Sequence, residues 1–257
     1  MKISLLFFFS VICVFSALTQ SHVFYGNAHS ERSSTEELTQ VFLDKNGDFY
    51  PALEISQSDF SPDHSIKEWF SKMTSQGGSA EFNSLTGNTK SYEEFQSSVI
   101  ERILKSMTFQ LDRNEKKVVV LIHGFRKPYT SVNGDVSSQE EYKFTKQRLR
   151  KLNPQTNYHF IEVYWDGMYM APDRSMKFAL RLGKLFKKEA RANAKSTGVG
   201  LRRFLSRLPI QEFDIICHSL GAEVTTNLLF NDEVKSSIAT PKQTMINVFF
   251  IGPAISK

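Results

Sequence analysis

The chain has 257 residues, enough for one large domain or two small ones, and its 40% hydrophobic and 12% aromatic content, with 22 phenylalanines, is that of a globular protein with a substantial core. A net charge of +5 and an isoelectric point near 9.1 favour acidic surfaces mildly and do not demand nucleic acid. No metal-ligand cluster, phosphate loop or nucleic-acid motif is present in the sequence, so neither a metal nor a cofactor is implied.

Met1 to Leu18 carries Lys2 and then an apolar run, with polar residues from Thr19 onward. This is the order of a secretory signal peptide (residues 1–19, with Ala28 as an alternative end), and an uncleaved anchor is the competing reading. Cys13 lies inside the run without the small residue before it that a lipoprotein site needs. Loss of the segment leaves Cys217 as the one cysteine, so no intramolecular disulfide forms. The expectation is a secreted, periplasmic or cell-envelope protein.

Residues 20–110 read as an N-terminal extension with a hairpin and helices. His29 to Glu37 is polar and linker-like. Asn46-Gly47 between β-type residues signals a hairpin, and its glycine falls at the wrong position for a calcium loop. Ile66, Trp69, Phe70 and Met73 mark a short helix, and Gln76 to Lys90 has loop composition. Ser91-x-x-Glu94 is a capping box opening a helix whose inner face is Tyr92, Phe95, Val99, Ile103 and Met107.

Residues 111–257 have an alternating strand and helix pattern, hence an α/β fold with a mostly parallel sheet and helices on both faces. Val118 to Ile122 is a continuous β-branched and aliphatic run, the mark of a strand buried on both faces. His123-Gly124-Phe125-Arg126 follows it directly. Lys127 to Asp135 is a polar loop. Ser137-x-x-Glu140 caps the next helix, with Tyr142, Thr145, Leu149 and Leu152 inward. Tyr158 to Tyr164 is the next strand, with His159 at its amino-terminal end and Asp166 just past its carboxyl end. Asp166 reads first as a loop residue and second as a rim carboxylate with a catalytic role. Arg174 to Arg207 is basic and reads as two helices broken at Ser196 to Gly200. A solvated helix surface explains that charge by default; contact of Lys187, Lys188 and Arg191 with anionic lipid is the alternative.

Phe213 to Cys217 reads as a buried strand and Glu223 to Leu229 as a helix, with His218-Ser219-Leu220-Gly221 between them. A serine on a sharp strand-to-helix turn presents its hydroxyl at the carboxyl edge of the sheet, in front of a helix amino-terminus that favours negative charge. A strand, an N-capping serine and a helix without chemistry is the plainer alternative. Met245 to Ile251 is a further apolar strand.

The segment Cys217-His218-Ser219-Leu220-Gly221, with His123-Gly124-Phe125 upstream, resembles the nucleophile elbow and oxyanion segment of the α/β-hydrolase superfamily of lipases and esterases. Cys217 stands where the usual elbow has its first glycine. The resemblance spans roughly Val118 to Pro253 and implies Ser219 as nucleophile, with the N–H groups of Phe125 and Leu220 as the oxyanion hole and His123 bracing the loop. It implies a serine hydrolase cleaving carboxylic esters of small molecules or lipids through an acyl-enzyme. The alternative is a catalytically inactive hydrolase-like module that binds lipid or a protein partner.

The superfamily places its acid and its histidine after the serine. No histidine follows Ser219 here; the six are His22, His29, His64, His123, His159 and His218. His218 immediately precedes the serine and is expected to point away from it, while His64 is the outside candidate. At Phe250-Ile251-Gly252-Pro253-Ala254, glycine stands where pancreatic-type lipases carry the acid. The acid and base therefore stay unassigned. The expectation is a core lacking its last two strands, with Met245 to Ile251 left as an apolar edge.

Overall fold

The computed structural model describes residues 38–51, 65–78, 82–83, 86, 91–111, 116–125, 136–166, 183–210, 212–231 and 245–252. The signal-like segment, His22, His29, His64, the loop at 126–135, and Phe178 and Leu182 of the basic region lie outside these residues. Five strands form one parallel sheet: β1 (Leu38–Leu43), β2 (Lys117–Ile122), β3 (Tyr158–Trp165), β4 (Glu212–His218) and β5 (Met245–Ile251). Their order across the sheet is β1-β3-β2-β4-β5, with every neighbouring pair parallel. The α/β class with a parallel sheet thus holds. β1, from the segment ahead of residue 111, is an edge strand of the same sheet.

The helices are α1 (Ile66–Ser75), α2 (Tyr92–Leu111), α3 (Ser138–Leu152), α4 (Arg191–Leu205) and α5 (Gly221–Phe230). Right-handed crossovers decide which face each helix covers. The connections β1 to β2, β3 to β4 and β4 to β5 all step in one direction across the sheet, and β2 to β3 steps back. Only α3 should therefore lie on the second face, and the two cores agree. Val118, Val120, Ile122, Ile161, Val163, Phe213 and Ile215 pack in one cluster with Phe70, Phe95, Leu201, Phe204 and Val224 from the other helices. Val119, Leu121, Phe160 and Tyr164 pack in the second cluster with Tyr142 of α3.

Local chemistry accounts for the helix starts. Ser65 and Glu68 form a reciprocal capping box on α1, and Ser137 and Glu140 do the same on α3. Ser91 and Glu94 exchange the same two hydrogen bonds at α2. Three readings of the sequence need correction. Ser196 to Gly200 does not break the basic helix: α4 runs through it, because Gly198 lets α4 meet the backbone of α5. A Cβ there would lie 2.5 Å from Val224 O and 2.8 Å from Leu228 N. Phe82, Asn83 and Thr86 are helical, although Gln76 to Lys90 has loop composition, and Phe82 is buried against Trp69 and Phe70. On α3 the buried residues are Ser138, Tyr142 and Lys146, while Leu152, expected to face inward, is exposed.

At the carboxyl end of α5, Arg202 reaches from α4 to the carbonyls of Asn227, Leu228 and Asn231. A guanidinium there satisfies orphan acceptors and complements the helix dipole. β5 forms the other edge of the sheet, where Met245, Phe249, Phe250 and Ile251 are each 45–59% exposed.

β1 runs into a tight turn at Asp44 to Asp48, closed by Asp44 N–H to Asp48 O at 2.9 Å. The second arm of the expected hairpin is a single antiparallel bridge, Leu43 to Phe49. Gly47 has φ +76°, and a Cβ there would collide with the Ser196 carbonyl, so glycine is required on both counts. Asp44 accepts N–H groups from Asn46, Asp48 and Ile66. Those donors favour its charge, yet burial outweighs them and pushes its carboxyl up from 3.8 to about 6. The folded state therefore binds this proton more tightly than the unfolded chain does. Its contribution to stability falls as pH rises from about 4 to about 6, by on the order of 3 kcal/mol, and is level above that. In urea denaturation, the stability of Asp44→Asn relative to wild type is expected to rise between pH 4 and pH 7; an unchanged difference would contradict the assignment.

Candidate active site

The sheet order reverses between β2 and β4, because the connection leaving β2 goes to one side and the chain returns to the other. In open parallel sheets the crevice at the carboxyl ends of such strands is where ligands bind. Here those ends carry His123-Gly124-Phe125 and His218-Ser219-Leu220. Ser219 has φ +51° and is the one non-glycine residue among the described residues with positive φ. Such a conformation is uncommon for a side-chain-bearing residue and persists where the surroundings hold it. Ser219 N–H donates to Ile251 O of β5 at 3.0 Å, and Ser219 O accepts from Ala222 N–H at 3.1 Å. Glu223 and Val224 N–H both close on Leu220 O; none of these bonds uses the Leu220 amide.

Two glycines set the spacing of this rim. A Cβ on Gly124 would lie 2.8 Å from Ser219 Cβ and 3.0 Å from His218 O. A Cβ on Gly221 would lie 2.7 Å from Ile122 O and 2.8 Å from His123 O. The segments bearing the Phe125 and Leu220 amides therefore meet beside Ser219. Cys217, near the end of β4 before the turn, is buried in the core that includes Ala222 and Val224, and burial raises its thiol pKa.

His123 is fully buried and its polar groups are occupied. Its N–H reaches the Tyr142 hydroxyl at 2.7 Å, and that hydroxyl in turn donates to Val163 O. Its carbonyl accepts the Trp165 indole N–H at 3.0 Å, while its ring stacks on Trp165 at 5.6 Å. Trp165 N–H points at Nε2 (3.3 Å), and Nδ1 lies 2.8 Å from Gly124 O. A donor at Nε2 and an acceptor at Nδ1 assign the neutral, Nδ1-protonated ring. This imidazole braces the turn and has no nitrogen left for a base.

His218 shares a sheet face with α3, and its Nδ1 lies 2.9 Å from Glu141 Oε1. The contact is an ion-pair distance out of line for a hydrogen bond. The same Nδ1 would be 3.4 Å from a Cβ on Gly124, so the ring borders the turn as well as α3. His159 is buried at the opposite end of β3 against Thr39 Oγ1, 2.9 Å away. Asp166 lies past β3, where Asn193 of α4 donates to its carbonyl at 3.3 Å.

A π-helical turn at Phe186–Ala190 leads into α4, and Phe186 packs edge-on against Phe125 with ring centroids 5.0 Å apart. Arg191 pairs with Glu223 of α5 at 2.9 Å, which ties its charge inward; Lys187 and Lys188 are exposed. Sequence reading overlooked Glu141, Glu223 and Asn193. Each is an ordinary polar helix residue, and its partner lies on a distant element, so no local pattern marks it. Among the described residues no group of three His, Cys, Asp or Glu side chains is placed to hold a metal ion.

Fold and rim together define an α/β protein whose parallel sheet carries a strained serine turn at its switch point. Comparison with protein-family models, with curated proteins and with solved structures returns no match.

Proposed function

We propose that the protein is a serine hydrolase of carboxylic esters. The observation that carries this reading is the left-handed backbone of Ser219 at the switch point, pressed against Gly124. In the proposed reaction Ser219 Oγ attacks the ester carbonyl and its proton passes to a base. The Phe125 and Leu220 amides hold the oxyanion, the alcohol leaves protonated, and water then releases the acid from Ser219. Phe125 and Phe186 supply an apolar edge suited to an acyl chain. Hydrolysis of p-nitrophenyl esters is expected to fall by about 10³-fold or more in Ser219→Ala. Equal rates in the two proteins would remove the proposal.

A hydrolase-like module that binds lipid or a protein partner is the second reading. It is favoured by the committed ring of His123 and by the pairing of His218 with Glu141. Export through the amino-terminal segment, and contact of Lys187 and Lys188 with anionic lipid, belong to the same proposal. Among the described residues no helix is long and apolar enough to cross a membrane. Vesicles containing anionic lipid should bind wild type more strongly than a Lys187→Gln/Lys188→Gln variant; equal binding to neutral and anionic vesicles would contradict the lipid contact.

A further inference from the structure

The geometry points to Glu141 and His218 as a positioning pair, through which the first turn of α3 holds the His218 imidazole against Gly124 and so fixes the oxyanion segment beside Ser219. Its activity readout rests on the serine hydrolase reading above.

Three observations converge on it. Glu141 Oε1 is 2.9 Å from His218 Nδ1, with both side chains partly screened from solvent, so the carboxylate borders the ring directly. A Cβ built on Gly124 would lie 2.8 Å from Ser219 Cβ, 3.0 Å from His218 O and 3.4 Å from His218 Nδ1, so these groups leave the Gly124 segment no room for a side chain. The adjacent residue on α3, Tyr142, grips the same turn from β2 by accepting His123 N–H and bonding Val163 O. Consecutive residues of one helix therefore hold both strands of the switch point, Tyr142 the end of β2 and Glu141 the end of β4. The rigid first turn of α3, fixed by its capping box, sets the distance between the two. An oxyanion hole works by donors held in place before charge develops, so slack in Gly124 would be felt in the chemical step more than in binding.

The test uses three variants of the full chain, Glu141→Ala, His218→Leu and His218→Asn, with an alkyl fluorophosphonate as the probe of Ser219. Asparagine places an amide near the position of Nδ1 and keeps a polar partner for Glu141 without an imidazole. Phosphonylation is expected to slow by about 10- to 100-fold in Glu141→Ala and in His218→Leu, and His218→Asn should restore most of the rate. Hydrogen exchange of the Ile122–Phe125 amides should quicken in the first two variants and stay near wild type in the third. Should His218→Leu fail to fold, Glu141→Ala, altered on the helix alone, still decides. Wild-type rates in Glu141→Ala would overturn the pair, and so would His218→Asn as inert as Ser219→Ala, since the ring itself would then be required. Should wild type take no probe, the hydrolase reading falls and exchange alone decides the clamp: unchanged exchange in Glu141→Ala overturns it.

Discussion

Gly124→Ala is expected to suppress the reactivity of Ser219 by about 10²- to 10³-fold while the protein stays folded. Nothing in the Gly124 backbone demands glycine for its dihedrals; the constraint is space. The added methyl would lie 2.8 Å from Ser219 Cβ and 3.0 Å from the His218 carbonyl oxygen. The carbonyl belongs to the last residue of β4, which is registered against Ile251 of β5, and the residue before it is paired on both sides, so it has little room to retreat. The turn after β2 would move instead, carrying the Phe125 amide away from Ser219. Overpacking of this kind costs about 1–3 kcal/mol of stability. The phosphonylation rate and the thermal midpoint of the purified variant check the two parts separately. An unchanged rate would mean that the Gly124 segment has no part in the reaction.

Lys146→Ala is expected to destabilise the fold by about 3–5 kcal/mol. Lys146 Nζ sits 2.6 Å from Glu162 Oε1 in the core between α3 and β3, where the Glu162 side chain is 3% exposed. The other carboxylate oxygen accepts from Gln40 Nε2 at 2.9 Å and from the Tyr164 hydroxyl at 2.6 Å. Removing the ammonium leaves a buried charge with neutral donors alone, which is the expensive way to break a buried pair. Replacing both members, as Lys146→Met with Glu162→Gln, should recover most of the loss, because the glutamine keeps an acceptor for Tyr164 without the charge. Urea denaturation of the three proteins at neutral pH measures this. A single variant within about 1 kcal/mol of wild type would contradict a buried pair.

Much of the fold is legible because its signals are local. The run from Val118 to Ile122 announces a central strand, and it lies in the middle of the sheet with both faces covered. Capping boxes at Ser91 and Ser137 mark helix starts that the structure keeps. Ser219 stands out because the turn between an apolar strand and a helix is short, and a short turn of that kind forces unusual backbone dihedrals. What stays hidden depends on partners distant in sequence. Lys146 falls on the inner face of α3, where an amphipathic reading expects Leu152, because Glu162 waits opposite it on β3. Gly198 looks like a helix breaker until α5 is laid against it. Glu141 shows only as an acidic residue in the first turn of a helix, where acids are common. Its contact with His218 depends on the crossover that folds α3 over the second face of the sheet.

The most direct test of Ser219 as a nucleophile is to treat the full chain with an alkyl fluorophosphonate and locate the adduct by peptide mass mapping. The result expected is one adduct, on Ser219, formed with loss of fluoride and absent from Ser219→Ala. No adduct at any residue, or ester hydrolysis that persists in Ser219→Ala, would contradict a hydrolase built on this turn.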